Sequence, residues 1–105
     1  MRVIATNTLI EYWESYPKCE QVLKSWLYEI KLAEWDSLQE LENHFLNASI
    51  LPDKRAIFNI NENKFRLIVD IEFRLKIVFV VWFGTHKAYN LIDAKTIKYV
   101  KTNKE

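Results

Sequence analysis

Hydrophobic residues in the first half of the chain recur at helical spacing. After Asn7 or Thr8, either of which can cap a helix, an apolar stripe runs up to Pro17. Pro17 suits the first turn of a second helix, which we expect to end near Trp35. Its apolar members lie on one side: Val22, Leu23, Trp26, Leu27, Ile30 and Leu32. We interpret this stripe as a core-facing surface, and we expect a short third helix over residues 38–45.

The second half of the chain changes from helical to strand spacing after Pro52. Residues 55–60 predict one strand, and residues 65–73 predict another in which apolar and mainly polar positions alternate. Residues 76–83 predict a strand that is apolar on both faces, so we expect it to be central or covered. A short strand is predicted at residues 1–5, and a last helical segment at residues 86–100.

This order of elements predicts an α+β fold. A chain of 105 residues has room for one domain with one core, which we assign to residues 1–105. We expect the N-terminal strand and two to three helices to pack on an antiparallel sheet, followed by the C-terminal helix. The helices then occupy one face of the sheet, and the other face is available for function.

Composition favours a cytoplasmic protein without a metal or cofactor. No run reaches the roughly 18 uncharged apolar residues that a membrane span needs, and no secretory signal is recognisable. Cys19 is the only cysteine, which excludes an intrachain disulfide and the usual cysteine-based metal sites. The only histidines are His44 and His86, and no carboxylate cluster accompanies them. We interpret His44 as structural.

Charge is divided unevenly along the chain. Residues 1–49 contain 4 Lys/Arg and 8 Asp/Glu, whereas residues 50–105 contain 11 Lys/Arg and 6 Asp/Glu. The two halves therefore carry −4 and +5, which together give the net charge of +1. Such asymmetry suggests a polyanionic partner for the basic half, although basic residues there also serve solubility.

Two cations share one face of the strand predicted at residues 65–73. Side chains alternate along a strand, so Lys64 and Arg66 leave the sheet opposite to Phe65 and Leu67. Directly after the next strand, His86 comes three residues before a tyrosine and shares one side of a helical turn with it.

The residues predicted for the site fall into two groups. We predict a catalytic group that consists of Lys64, Arg66, His86 and Tyr89. We predict an RNA-binding group that consists of Lys54, Arg55 and Lys87. No metal ligand is included in either group.

This set suits cleavage of an RNA phosphodiester. The substrate's 2′-hydroxyl already lies beside the phosphorus, so the enzyme must move protons and stabilise charge. Arg66 can hold two phosphate oxygens, and a histidine such as His86 can act as acid or base near neutral pH. Tyr89 can donate a proton or stack on a base. Structural alternatives remain open: Arg66 pairing with Asp70 or Glu72, Lys64 and His86 as surface residues, and Tyr89 in the core.

Two segments of the chain resemble the HigB family of toxins in the RelE-like mRNA interferase superfamily. The first is Arg-Ala-Ile-Phe-Asn-Ile-Asn-Glu-Asn-Lys-Phe-Arg-Leu-Ile at residues 55–68, and the second is Gly-Thr-His-Lys-Ala-Tyr-Asn at residues 84–90. The helix that ends in Ala-Glu-Trp at residues 33–35 is also similar. The family's turn glycines are replaced here by Asn61 and Glu62, and the aspartate after the tyrosine is replaced by Asn90.

The resemblance implies a ribosome-associated endoribonuclease that cuts mRNA during translation. It also implies a HigA-like helix-turn-helix antitoxin as partner, and it carries the catalytic group over to Lys64, Arg66, His86 and Tyr89. Two alternatives stay open. One is a non-catalytic RNA- or ribosome-binding module, and the other is a protein-binding domain whose basic half meets an acidic antitoxin segment.

Overall fold

Five strands form one sheet in the order β1-β5-β4-β3-β2 in the computed structural model, which describes residues 1–99. The strands are β1 (Arg2–Ile4), β2 (Ala48–Leu51), β3 (Arg55–Ile60), β4 (Phe65–Glu72) and β5 (Ile77–Thr85). The helices are α1 (Thr6–Ser15), α2 (Glu20–Leu32), α3 (Leu38–His44) and α4 (His86–Tyr89), with a 3₁₀ turn at Pro17–Cys19. The α+β prediction is confirmed.

Strands β2 to β5 form an antiparallel meander, and β1 joins its far side in parallel to β5. Strand β5 therefore lies between β1 and β4, which confirms that the strand apolar on both faces is central. Strand β2 was not predicted from the sequence. Within residues 1–99, this four-residue edge strand pairs with β3 alone, so its extended conformation depends on tertiary pairing.

The main core lies between the sheet and the three longer helices. The alternation of β4 directs Leu67 and Val69 into this core, where they meet helix residues such as Leu23 and Ile30. The core residues that are completely inaccessible to solvent include Leu9, Leu23, Ile30 and Leu67. This packing confirms the prediction for Leu23, Trp26 and Ile30, and Leu27 packs at the edge of the core. The prediction is wrong for Val22 and Leu32, which are 37% and 67% exposed.

A β-bulge in β5 changes which residues face the helices. Ile68 pairs with Trp82 and Val69 pairs with Val80, so Val81 is one extra residue on β5. Val80 consequently joins the helical core, while Val81 and Trp82 contribute to an apolar cluster on the opposite face. The bulge therefore gives β5 apolar side chains on both sides of the sheet.

The predicted helix over residues 86–100 is wrong beyond its first turn. Helix α4 spans only His86–Tyr89, turns and a bend follow it up to Thr96, and residues 97–99 have no regular structure. The Asp93 carboxylate accepts the backbone N–H of Lys95 at 3.0 Å, which offers the backbone an alternative to the helical hydrogen bond. Val100 lies outside the described residues.

The segment after α4 covers part of the second face of the sheet. Its apolar residues lie two and three positions apart along the chain: Ile92, Ala94 and Ile97. In a helix these three side chains would not all face the sheet, so the non-helical backbone is what brings them onto it. They pack on the buried side chains Ile57, Ile68 and Val81. The second face is therefore only partly available.

Candidate functional site

The beginning of β4 and the end of β5 meet at one corner of the sheet. Phe65 pairs with Thr85, and the backbone N–H of His86 donates to the Lys64 carbonyl at 2.9 Å. The Thr85 hydroxyl accepts the backbone N–H of Ala88 at 3.0 Å and thereby caps α4. The strand register and this cap together place α4 beside the start of β4.

The four residues predicted as catalytic come together at this corner. The Arg66 guanidinium carbon lies 5.8 Å from the centre of the Tyr89 ring, a distance at which a cation and an aromatic face attract each other. Lys64 and His86 are exposed, whereas Arg66 and Tyr89 are half-buried. The site is thus an open surface on which Lys64 and His86 are in contact with solvent, while Arg66 and Tyr89 pack against each other.

No carboxylate of residues 1–99 forms an ion pair with Arg66. Its Nη1 donates to the backbone carbonyls of Asn63 at 2.7 Å and Phe65 at 3.1 Å. Asp70 binds Arg55 and Glu72 approaches Lys54, and no ion pair within residues 1–99 includes Arg66. Its charge is therefore positioned by carbonyls and remains available to an anion.

The turn before β4 supports Arg66 through an unusual backbone. Asn61, Glu62 and Asn63 adopt φ values of 52°, 56° and 68°, all in the left-handed region. These include the two positions at which the family pattern has glycine. A left-handed conformation costs a residue such as glutamate roughly 1–2 kcal/mol. The turn adopts this conformation even though it has no glycine at the two family positions. The Asn63 carbonyl that receives Arg66 belongs to this turn.

The buried Cys19 thiol lies against the same turn. Burial raises the pKa of Cys19, and a hydrogen bond with the Asn61 side chain partly offsets that effect. This contact links the 3₁₀ turn before α2 to the turn that supports Arg66.

Arg55 lies at the other end of the second face. It pairs with Asp70 in the strand register while Arg66 pairs with Asn59, four residues away and roughly 13 Å along the strand. Its Nε and Nη2 donate to Asp70 at 2.7 and 2.9 Å, and the Asp70 hydrogen bond raises the pKa of Arg55. Its side chain is only 11% exposed.

Two further hydrogen bonds explain what Arg55 does. Its Nη1 donates to the carbonyls of Ala94 at 3.0 Å and Ile97 at 2.6 Å, in the segment that covers the sheet. The structure therefore gives Arg55 an anchoring position apart from the Arg66 corner. Lys54 is exposed at the same end, with its Nζ 3.8 Å from Glu72, whereas Lys87 is exposed on α4 beside His86.

Trp82 and Gly84 belong to the corner but were not predicted. Gly84 lies opposite Arg66 in the strand register, and Trp82 is on the same face two residues earlier. A Cβ at Gly84 would lie 2.6 Å from Cη2 and 2.7 Å from Cζ2 of Trp82. A glycine inside a strand often marks such a close approach, and Gly84, the only glycine of the chain, was the available signal.

A comparison with family models covers the segments that form this corner. Residues 19–92 match the family model HigB_toxin, described as the RelE-like toxic component of a toxin-antitoxin system. The match covers well over half of the chain and includes both motifs of the corner. This chain belongs to the HigB toxin family. A search of curated proteins gives no significant match.

Membership in the HigB family makes the chain a RelE-like toxin component of a toxin-antitoxin system, which implies a cognate antitoxin. Toxins of this type are typically ribonucleases. Within residues 1–99, no three His, Cys, Asp or Glu side chains are grouped closely enough to hold a metal ion. No helix in the same range is both long and apolar enough to cross a membrane.

Proposed function

We propose that this HigB-family toxin is an endoribonuclease that cuts mRNA on the translating ribosome. The observation that carries the proposal is the Arg66 guanidinium, free of any carboxylate within residues 1–99, at the same corner as His86 and Tyr89. A positioned cation without an anionic partner suits a phosphodiester, whose charge increases in the transition state.

The cleavage reaction follows from the substrate's own nucleophile. The 2′-oxygen loses its proton and attacks the adjacent phosphorus, the bond to the 5′-oxygen breaks, and that oxygen receives a proton. A 2′,3′-cyclic phosphate and a 5′-hydroxyl result. This route needs no resident metal or cofactor, since the substrate supplies the nucleophile and side chains supply the proton transfers.

Each residue of the corner has a proposed task in this reaction. Arg66 binds the scissile phosphate and stabilises its growing negative charge. His86 and Tyr89 carry out the two proton transfers. His86 is exposed and Tyr89 is partly exposed, so both are accessible to RNA. Lys64, exposed at the start of β4, neutralises a phosphate oxygen.

The remaining cations extend the contact along the RNA backbone. Lys87 is exposed beside His86 and is suited to a neighbouring phosphate, and Lys54 is suited to a more distant one. Arg55 is assigned to anchoring the covering segment, because Asp70 and two carbonyls already occupy its donors. The basic half of the chain then faces the polyanion.

The proposed partners follow from membership in a toxin-antitoxin family. We assign the neutralising partner to a HigA-like helix-turn-helix antitoxin, and the site of action to ribosomes in the cytoplasm. The competing function is a non-catalytic RNA- or ribosome-binding module. It is favoured by Asn90, where the family pattern has a charged aspartate.

Purified toxin added to a translating extract separates these functions. Cleavage predicts mRNA fragments with new 5′ ends inside the translated region, and their absence with the Arg66→Ala variant. Intact mRNA together with stalled initiation would establish the binding module instead. Intact mRNA with unaffected translation would leave only the protein-binding alternative.

A further inference from the structure

We infer that Trp82 is the base-stacking residue of the RNA site and that Gly84 holds its indole in place. This inference rests on the proposed function and names a substrate-positioning part of the same site. The aromatic ring of Trp82 lies on the strand surface over Gly84, the residue opposite Arg66 and the one residue of the chain that lacks a side chain. Cleavage chemistry alone does not require an aromatic ring at this position.

The position of the ring is set by Gly84. The six-membered ring of Trp82 occupies the space that any Cβ at this position would need, with ring atoms 2.6 and 2.7 Å from the ideal Cβ position. Alanine at this position therefore displaces the far end of the indole while the backbone keeps its strand conformation. The ring packs directly on the backbone at Gly84, because glycine has only a hydrogen atom where every other residue has a Cβ.

The distance to Arg66 fits one nucleotide. Gly84 and Arg66 are directly opposite in the β4–β5 register, so their Cα atoms are separated by about 5 Å. A phosphate on Arg66 thus has the Trp82 ring within reach of its own or the adjacent base. Stacking on an aromatic ring is accessible to every base, because each base has a π-face.

Tyr89 is less suited to stacking than Trp82. The Arg66 guanidinium lies against the Tyr89 ring at 5.8 Å, and the Trp82 ring lies 6.3 Å away at 51°. Tyr89 thus has a neighbour on two sides, which limits access to the faces of its ring. Trp82 is half-buried and has the larger π surface. Stacking on Trp82 leaves Tyr89 for proton transfer.

The competing explanation is purely structural. Trp82 also packs at the edge of the apolar cluster of Ile57, Ile68 and Val81, and aromatic rings that cover strand glycines can stabilise a sheet. A structural role predicts that loss of the ring lowers the melting temperature and affects all RNA substrates equally. Stacking predicts an effect that depends on the presence of a base.

The test uses ribosomes programmed with a short mRNA and single-turnover cleavage as a function of toxin concentration. Trp82→Leu and Gly84→Ala should each raise the half-saturating toxin concentration by on the order of tenfold. The double variant should be no worse than Trp82→Leu, because alanine at position 84 has no ring left to displace. Trp13→Leu, a half-buried tryptophan on α1, is the matched control and should behave as wild type.

An abasic nucleotide next to the cleavage site completes the test. It should raise the half-saturating concentration of the wild type by on the order of tenfold, and it should leave that of Trp82→Leu unchanged. An equal abasic effect in wild type and Trp82→Leu would overturn the stacking inference while cleavage by the wild type upholds the proposed function. Wild-type toxin that leaves every mRNA intact would overturn both.

Discussion

Arg66 is the residue on which the proposed chemistry depends most. Its alternation with Phe65 and Leu67 predicted a place outside the core, and the structure adds two carbonyl contacts and the Tyr89 ring. Arg66→Ala should lower the cleavage rate by about 10²–10³-fold, because one preorganised charge contact is lost. Its melting temperature should change little, since the side chain is half-buried and outside the core.

Arg74 provides the matched control for this substitution. It is an exposed arginine in the turn after β4, at the end of the strand away from Arg66. Arg74→Ala should cleave at the wild-type rate in single-turnover assays. Near-wild-type cleavage by a folded Arg66→Ala protein would remove Arg66 from the site.

His86 and Tyr89 test the proton transfers. His86→Gln should slow the chemical step and flatten the pH–rate profile near neutrality, because glutamine cannot exchange a proton there. Tyr89→Phe should slow cleavage while the half-saturating toxin concentration stays near the wild-type value. Single-turnover rates across pH, beside thermal melts, are the measurement. A silent Tyr89→Phe, together with a His86→Gln that alters melting more than rate, would indicate a structural role for both.

Individual residues were predictable where local rules decide their position. Strand alternation was sufficient to place Arg66 on the second face, and helical spacing placed His86 and Tyr89 on the same short helix. Arg55 was predicted to contact RNA, yet it donates to Ala94 and Ile97. Those partners lie about forty positions further along the chain, and no periodicity in the sequence brings them together.

At the scale of elements, the segment after α4 decides how much of the sheet remains open. Arg55 joins this segment to β4 through Asp70 and two carbonyls. Arg55→Met should lower the free energy of unfolding by about 1–3 kcal/mol, because it removes charged hydrogen bonds that are largely shielded from water. Denaturant titration measures this change.

Lys54→Met is the control for the Arg55 substitution. The Lys54–Glu72 pair is 3.8 Å long and its lysine side chain is 57% exposed, so its loss should change the unfolding free energy by less than about 1 kcal/mol. Equal effects of the two substitutions, or none from Arg55→Met, would contradict the anchoring role.

Helix α1 carries a group that makes stability depend on alkaline pH. Burial raises the pKa of Tyr12 to about 12, and the neighbouring Tyr99 and Glu11 add to this effect. The neutral phenol is favoured by folding, so its contribution is complete below pH 10 and is lost as pH rises through about 12. Tyr12→Phe should therefore show a shallower loss of unfolding free energy between these pH values.

Tyr28→Phe is the control for Tyr12, since Tyr28 is 67% exposed on α2. It should follow the wild-type curve in denaturant titrations over the same alkaline range. Identical curves for Tyr12→Phe and the wild type would show that Tyr12 does not contribute to the alkaline loss.

The elements that sequence reasoning predicted well are those with a strong period. Strand β3 was predicted with its observed bounds, and β4 and β5 to within two residues at each end. Strand β2 and the turns after α4 were missed, because their conformations depend on the β3 edge and on the apolar cluster of the second face. Local propensity is a weak guide where tertiary contacts decide.

At the scale of the whole molecule, the sheet separates an acidic helical layer from a basic second face. The residues of that face come mainly from the half of the chain that carries +5, and the helices from the half that carries −4. This arrangement explains why a net charge of only +1 is compatible with an RNA substrate.

Expression without an antitoxin should arrest bacterial growth, because a nuclease that acts during translation depletes mRNA. Growth curves and bulk mRNA levels after induction are the measurement. Arg66→Ala at equal expression should permit growth, and a co-expressed cognate antitoxin should restore it. Unchanged growth and mRNA despite verified expression of the wild type would contradict the toxin activity.

The ends of the RNA fragments test the central claim most directly. Toxin is added to ribosomes programmed with a short mRNA, and the fragments are identified by mass spectrometry. Attack by the 2′-oxygen predicts a 2′,3′-cyclic phosphate, or the 3′-phosphate formed from it, on one fragment and a 5′-hydroxyl on the other. A single 2′-deoxynucleotide at the cleavage site should abolish the reaction. Fragments with 5′-phosphate and 3′-hydroxyl ends, or undiminished cleavage of the deoxy substrate, would contradict the proposed mechanism.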